Sequence, residues 1–182
     1  MKLSQQDVFG GLASEKRYRK QTPNARDWLL LRGLVQRRDV ETVSLALTQR
    51  ITSQKILQPD DVLIQALFGE QIAIKIAGEL EAYEPKRIIP GQAIAVFRAH
   101  DRHMAEVMRA YLSSDIGQRK LRSASVQVDL SRGRSQPLYK LSIHQLKEIE
   151  VPDAEYWMDI LTRWDLIQTV QVHFNDFCNA IS

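Results

Sequence analysis

Ile72-Ala73-Ile74-Lys75-Ile76-Ala77-Gly78-Glu79-Leu80-Glu81-Ala82-Tyr83 decides the class of fold, because two periodicities fit it. Ile72, Ile76 and Leu80 recur at helical spacing, whereas Ile72, Ile74 and Ile76 alternate as in a strand. Ala73, Ala77, Glu79, Glu81 and Ala82 are all good helix formers, and their sum tips the expectation to a helix ending near Tyr83. Ala93-Ile94-Ala95-Val96-Phe97 carries the same ambiguity. Because Met104 to Leu112 reads as helical, one helix from about Gly91 to Ser113 is expected, ended by Ser113-Ser114-Asp115 and Gly117. If both ambiguous segments are strands, the fold is instead α+β with a small sheet.

Upstream, Trp28, Leu31 and Val35, flanked by Leu30 and Leu34, suggest an amphipathic helix over residues 26–38. Val40, Val43, Leu47 and Ile51 suggest a second over 40–51, packed on the first as a helical hairpin. Pro59-Asp60-Asp61 has the chemistry of a helix start, with proline in the first turn and acids facing the positive end of the dipole. Val62 to Phe68 then reads as a deeply buried helix, apolar on most sides.

Downstream the pattern changes. Val126, Val128 and Leu130 alternate with polar residues, as do Tyr139, Leu141 and Ile143. Ser131-Arg132-Gly133-Arg134-Ser135-Gln136 lies between them and supplies turn chemistry, so a β-hairpin with two arginines at its tip is expected. After Val151-Pro152-Asp153, one apolar face runs through Trp157, Ile160, Trp164, Ile167, Phe174, Phe177 and Ile181. A helix of about 28 residues there would be roughly 42 Å long. The expected architecture is therefore mainly α: a helical domain with one β-hairpin (about residues 124–144) before a long C-terminal helix. Residues 1–25 are expected to form a basic N-terminal arm and residues 26–182 a single globular domain.

Composition bounds the function. With 182 residues, 44% hydrophobic and 26% charged, the chain has ordinary globular usage and enough length to bury a core. No apolar run approaches the roughly 20 residues of a membrane span, and Met1 to Asp7 lacks the apolar core of a secretory signal. The single Cys178 cannot form an internal disulfide, which fits a reducing compartment, the cytoplasm. Residues 1–38 hold nine Lys/Arg against three Asp/Glu, a net +6, while residues 147–182 hold two against seven, a net −5. That asymmetry suggests a basic end that meets an anionic partner.

Motifs for catalysis are weak throughout. His100 and His103 stand at i, i+3 spacing with Asp101 and Glu106 close by, yet a zinc site needs three or four converging ligands. No metal is expected there. His144 and His173 fall on polar faces. Cys178 lies among Phe174, Phe177 and Ile181, which suits a small core thiol better than a nucleophile. Gly10-Gly11 lacks the following Lys-Ser/Thr of a phosphate loop, and no Gly-x-Gly-x-x-Gly occurs. The paired carboxylates, Asp60/Asp61, Glu79/Glu81 and Glu148/Glu150, read as caps or solvated faces. Neither an enzyme nor a cofactor is expected.

The basic clusters are the strongest functional lead. Lys16, Arg17, Arg19 and Lys20 surround Tyr18; Arg119, Lys120 and Arg122 precede the hairpin; Arg132 and Arg134 cap it. Lys/Arg gathered on one face make phosphate contacts, and a two-stranded ribbon fits the major groove. Residues 26–57 also invite comparison with a helix-turn-helix, with Ser44, Thr48, Gln49 and Arg50 on the outer face of the second helix. These features suggest a non-enzymatic nucleic-acid-associated accessory or regulatory protein. The alternative is an interaction adaptor or assembly subunit that presents Trp157 and Trp164 to a protein partner or a second copy, since large aromatics dominate interfaces. Membrane attachment is not expected, because the polar side of the C-terminal helix is acidic.

Overall fold

The computed structural model describes residues 8–12, 26–35, 40–46, 53–128 and 137–151, together with Tyr156, Asp159, Thr162 and Arg163. The chain divides into two units, Lys2–Glu150 and Val151–Ser182. The first is rich in strands, and the expectation of a mainly α fold is overturned: its described residues form ten strands in three sheets.

Both ambiguous segments are extended. The central sheet has the order β1-β8-β4-β6, built from β1 (Val8–Gly10), β8 (Ile94–Arg98), β4 (Asp61–Gln65) and β6 (Ile74–Ile76), every neighbouring pair antiparallel. The helix expected to end at Tyr83 is replaced by β6 and a short 3-10 turn, Ala77–Glu79. The helix expected from Gly91 is half strand: β8 comes first, and α1 starts only at Arg102 and runs to Ser113. Asp101 caps α1 by accepting from the Met104 amide at 2.8 Å. The chain then turns at Ser114, whose Oγ accepts from the Gly117 amide, and continues as α2 (Asp115–Ser123). Gly117 thus belongs to a second helix rather than ending the first. A Cβ at that position would sit 2.1 Å from the Tyr111 carbonyl oxygen, so only glycine lets the two helices meet so closely.

The second sheet replaces the expected helical hairpin, and with it the helix-turn-helix. Here β2 (Arg26–Leu31) pairs antiparallel with β3 (Val40–Leu45) and parallel with β7 (Ile88–Pro90). The physical reason lies in Trp28-Leu29-Leu30-Leu31. Leu29 and Leu31 enter one core cluster with Leu34, Leu57, Leu63, Ile88, Ile94 and Val96. Trp28 and Leu30 enter another with Leu12, Val43, Leu45 and Ile89. A strand buried on both faces shows a continuous apolar run rather than alternation, and such a run also fits a helix.

The same holds for β4, where Val62, Leu63 and Ile64 are all fully buried. Leu63 and Val96 are opposite partners facing the β2 sheet, whereas Val62 and Ile64 pair with Phe97 and Ala95 on the other face. The apolar side of α1 (Ala105, Val107, Met108, Tyr111 and Leu112 buried) packs against β4 and β6. The central sheet is thereby covered on both sides.

Asp61 does not cap a helix. It is a fully buried carboxylate at the start of β4, directly opposite Arg98 of β8. Arg98 donates from Nε to Oδ1 and from Nη2 to Oδ2, both at 3.0 Å, and the Gln58 amide adds a bond of 2.8 Å to Oδ2. Arg98 also donates to the Ile56 carbonyl and lies 4.9 Å from the Phe9 ring centroid. This network ties β1, β4, β8 and the segment before β4 into one end of the sheet. The strand β1 falls inside the stretch read as an arm, and there Gly11 and Leu12 donate their amides to the Ile94 and Pro90 carbonyls.

The third sheet contains the hairpin. β9 (Ser125–Val128) pairs antiparallel with β10 (Leu138–Leu141), and β10 pairs on its other edge with β5 (Leu67–Phe68). The second arm is shorter than the alternation suggested. Ser142 caps a short helix, α3 (Ile143–Lys147), so Ile143 and His144 are helical rather than extended. In the second unit, Tyr156, Asp159, Thr162 and Arg163 are helical, and Arg163 pairs with Asp159 one turn away. Trp157, Trp164 and the rest of the expected C-terminal helix lie outside the described residues.

Candidate functional site

The β5-β10-β9 sheet differs from the central sheet in being open to solvent. Gln127 and Val126 on β9 and Lys140 on β10 are exposed, and Tyr139 is half-buried. Tyr139 stands opposite Phe68 in the β10–β5 register, and their rings stack at 5.8 Å between centroids and 22° between planes. This pair forms part of the wall of a cleft of about 550 Å³. Among the described residues, Gly69, Glu70 and Gln71 from the turn after β5, Pro137 before β10 and Arg122 from α2 also line it. Arg122 is held at the rim by a hydrogen bond from Nη2 to the Glu70 carbonyl.

The three cations of α2 are not one patch. Arg119 and Arg122 are three residues apart and share a helix face; both are exposed. Arg119 donates to the Asp115 carbonyl at 3.2 Å. Lys120 points elsewhere: Nζ donates to the Glu150 carbonyl at 2.8 Å and lies 5.7 Å from the Tyr111 ring centroid. It borders a second, shallower groove with Ser123, His144, Gln145 and Glu148. Lys120 and Arg122 also occupy the last turn of α2, where the helix dipole favours positive charge. Of the residues expected to contact nucleic acid, the fold therefore brings Arg122 to the hairpin sheet, with Arg119 on the same helix face. It directs Lys120 to a structural bond. Lys16, Arg17, Arg19, Lys20, Arg132 and Arg134 lie outside the described residues, the last two in the segment that joins β9 to β10.

The histidine pair is not gathered into a site. His100 and His103 are exposed at the start of α1. Of their acidic neighbours, Asp101 caps the helix and Glu106 accepts from Arg102 at 2.9 Å. Arg102 also bonds Glu79, and its pKa is raised by the hydrogen bonds and charges of both partners, first that to Glu106. Among the described residues no three His, Cys, Asp or Glu side chains converge as metal ligands. None of the described helices is long and apolar enough to cross a membrane.

Sequence reasoning missed the aromatic half of the cleft. Phe68 was placed inside a helix and Tyr139 was read only as a hairpin residue, and nothing local to either joins them. The signal that could have found the pair is the register itself: a third strand on the far edge of β10 needs an apolar partner opposite Tyr139. No known family model matches the chain, and no curated protein matches it at a significant level.

Proposed function

We propose that this chain is a non-enzymatic nucleic-acid-binding protein, an accessory or regulatory component, that grips its ligand with the β9–β10 hairpin and α2. The observation that carries this reading is that Arg122 of α2 and Pro137 and Tyr139 of the hairpin arm line one solvent-open cleft. A cation on α2 and an aromatic on β10 that line one cleft supply the two interactions nucleic acids use most, phosphate pairing and base stacking. Arg119 on the same helix face and Lys140 on β10 extend the positive rim. Arg132 and Arg134, in the segment between the strands, add charge where a ribbon can reach a groove, and the basic 16–20 segment adds charge along the backbone. The reading assigns no catalytic step, no cofactor and no membrane contact, and it places the protein in the cytoplasm.

Fluorescence anisotropy of labelled duplex and single-stranded oligonucleotides, titrated at low and moderate salt, tests it. Binding is expected to weaken steeply with salt. An Arg132→Ala/Arg134→Ala variant is expected to bind more weakly, with the log–log salt slope reduced by about one for each phosphate contact removed. No binding at low salt would end the reading.

A second reading, an assembly subunit that binds a protein partner or another copy through the C-terminal helix, is supported by the separation of Val151–Ser182 as its own unit and by the exposure of Tyr156. Mass measured against concentration tests it, and a strict monomer at high concentration argues against self-association.

A further inference from the structure

We infer that the cleft beside Tyr139 receives a single unstacked nucleobase. The inference deepens the nucleic-acid reading and rests on it. A protein that only tracked phosphates would need cations on a surface, not a recess. The recess here is about 550 Å³, within the range of roughly 300–1,000 Å³ that holds planar organic ligands. Its wall includes a stacked aromatic pair fixed by sheet register, with Phe68 almost fully covered and Tyr139 half-buried. A base stacking against Tyr139 extends this pair as a third layer, and such stacking tolerates any base because every base has a π-face.

Polar residues line the same recess. Glu70 lines the recess from the turn after β5, and its side chain is exposed. Gln71 lines the cleft too and offers both donor and acceptor. Arg122 is anchored by the Glu70 carbonyl with one nitrogen and has further donors for the phosphate that follows the base. A base in a perfect duplex must first be unstacked and unpaired, whereas a bulged or single-stranded base has lost most of that cost already.

Gly69 provides the test. Gly69 lines the cleft, and a Cβ built there meets no atom within 4 Å, so a larger side chain at this position is expected to narrow the cleft. Anisotropy is measured on three otherwise identical labelled duplexes: fully paired, with one bulged adenine, and with one bulged thymine. The wild-type chain is expected to bind both bulged duplexes about tenfold tighter than the paired duplex. Gly69→Phe is expected to abolish this preference without lowering the melting temperature, and Tyr139→Ala to reduce the preference in parallel. Equal affinity for paired and bulged duplexes, or a preference that survives both substitutions, overturns the inference and leaves the nucleic-acid reading standing. If no oligonucleotide binds, the nucleic-acid reading falls, and adenosine monophosphate followed by NMR decides the cleft alone. Shifts at Tyr139 that vanish in Gly69→Phe keep the base site, and the absence of shifts removes it.

Discussion

The central sheet and the hairpin sheet are made of similar short strands, yet they treat water in opposite ways. In β4 and β8, Val62 to Ile64 and Ile94 to Phe97 are all buried, with one face toward the β2 sheet and the other toward α1. In β9 no residue is buried, and Val126 is 58% exposed. The first arrangement leaves nothing to offer a ligand and everything to lose on mutation. The second adds little core and displays a cleft, a cation and an aromatic wall. Stability and recognition are therefore carried by different sheets, and substitutions should separate them.

The largest effect is expected at the buried ion pair. Asp61→Ala leaves the Arg98 guanidinium without its carboxylate and the Gln58 amide without its acceptor, which costs about 3–5 kcal/mol when such a pair is broken from one side. Chemical denaturation is expected to show it, and a loss under 1 kcal/mol would mean that the network does not hold β4 to β8. Next comes Gly117→Ala, where the new methyl meets the Tyr111 carbonyl. Overpacking of this kind costs about 1–3 kcal/mol, and a neutral result would mean that α1 and α2 can part without loss.

A smaller, pH-dependent effect is expected at Tyr83, whose hydroxyl donates to the Leu57 carbonyl. Burial, and then the charges of Asp61 and Asp60, raise its pKa above the ordinary 10.0. The folded state thus favours the neutral phenol. The stability it contributes is fully present below pH 10 and is lost as pH rises through the raised value. Tyr83→Phe is expected to flatten that alkaline loss in melting temperature, and an unchanged slope would assign it to other groups. The smallest effect on stability is expected in the hairpin region. Arg119→Ala/Arg122→Ala should shift unfolding by no more than about 0.5 kcal/mol, while it weakens oligonucleotide binding and its salt slope. A large loss of stability would place these arginines in the scaffold and blur the division between the sheets.

The same contrast explains what was legible in the sequence. Alternation appears only where one face of a strand is wet, so β9 and β10 could be read directly from Val126/Val128 and Tyr139/Leu141. The strands β2, β4 and β8 are covered on both faces, and their apolar runs fit a helix as well as a strand; good helix formers around Ile74, and the helical pattern of Met104 to Leu112 beyond Ile94, then tip the reading the wrong way. Helix α1 was visible from Met104 to Leu112 because it does have a polar side, but its start at Asp101 was hidden behind the apolar run of β8. Of the site, Arg119 and Arg122 were legible as cations near a hairpin. The division of labour between them and Lys120 was not, since it depends on the Glu150 carbonyl lying within reach of Nζ. The cleft was invisible because Phe68 and Tyr139 meet only through the β5–β10 register.

The most direct test of this division is amide hydrogen exchange, read by mass spectrometry with and without a saturating duplex at low salt. Added protection is expected in peptides covering residues 115–128 and 137–141, with residues 26–31, 61–65 and 94–98 exchanging slowly and equally in both states. Protection that appears instead on the β2 sheet, with none on α2 or the hairpin strands, would contradict the assignment of recognition to the third sheet.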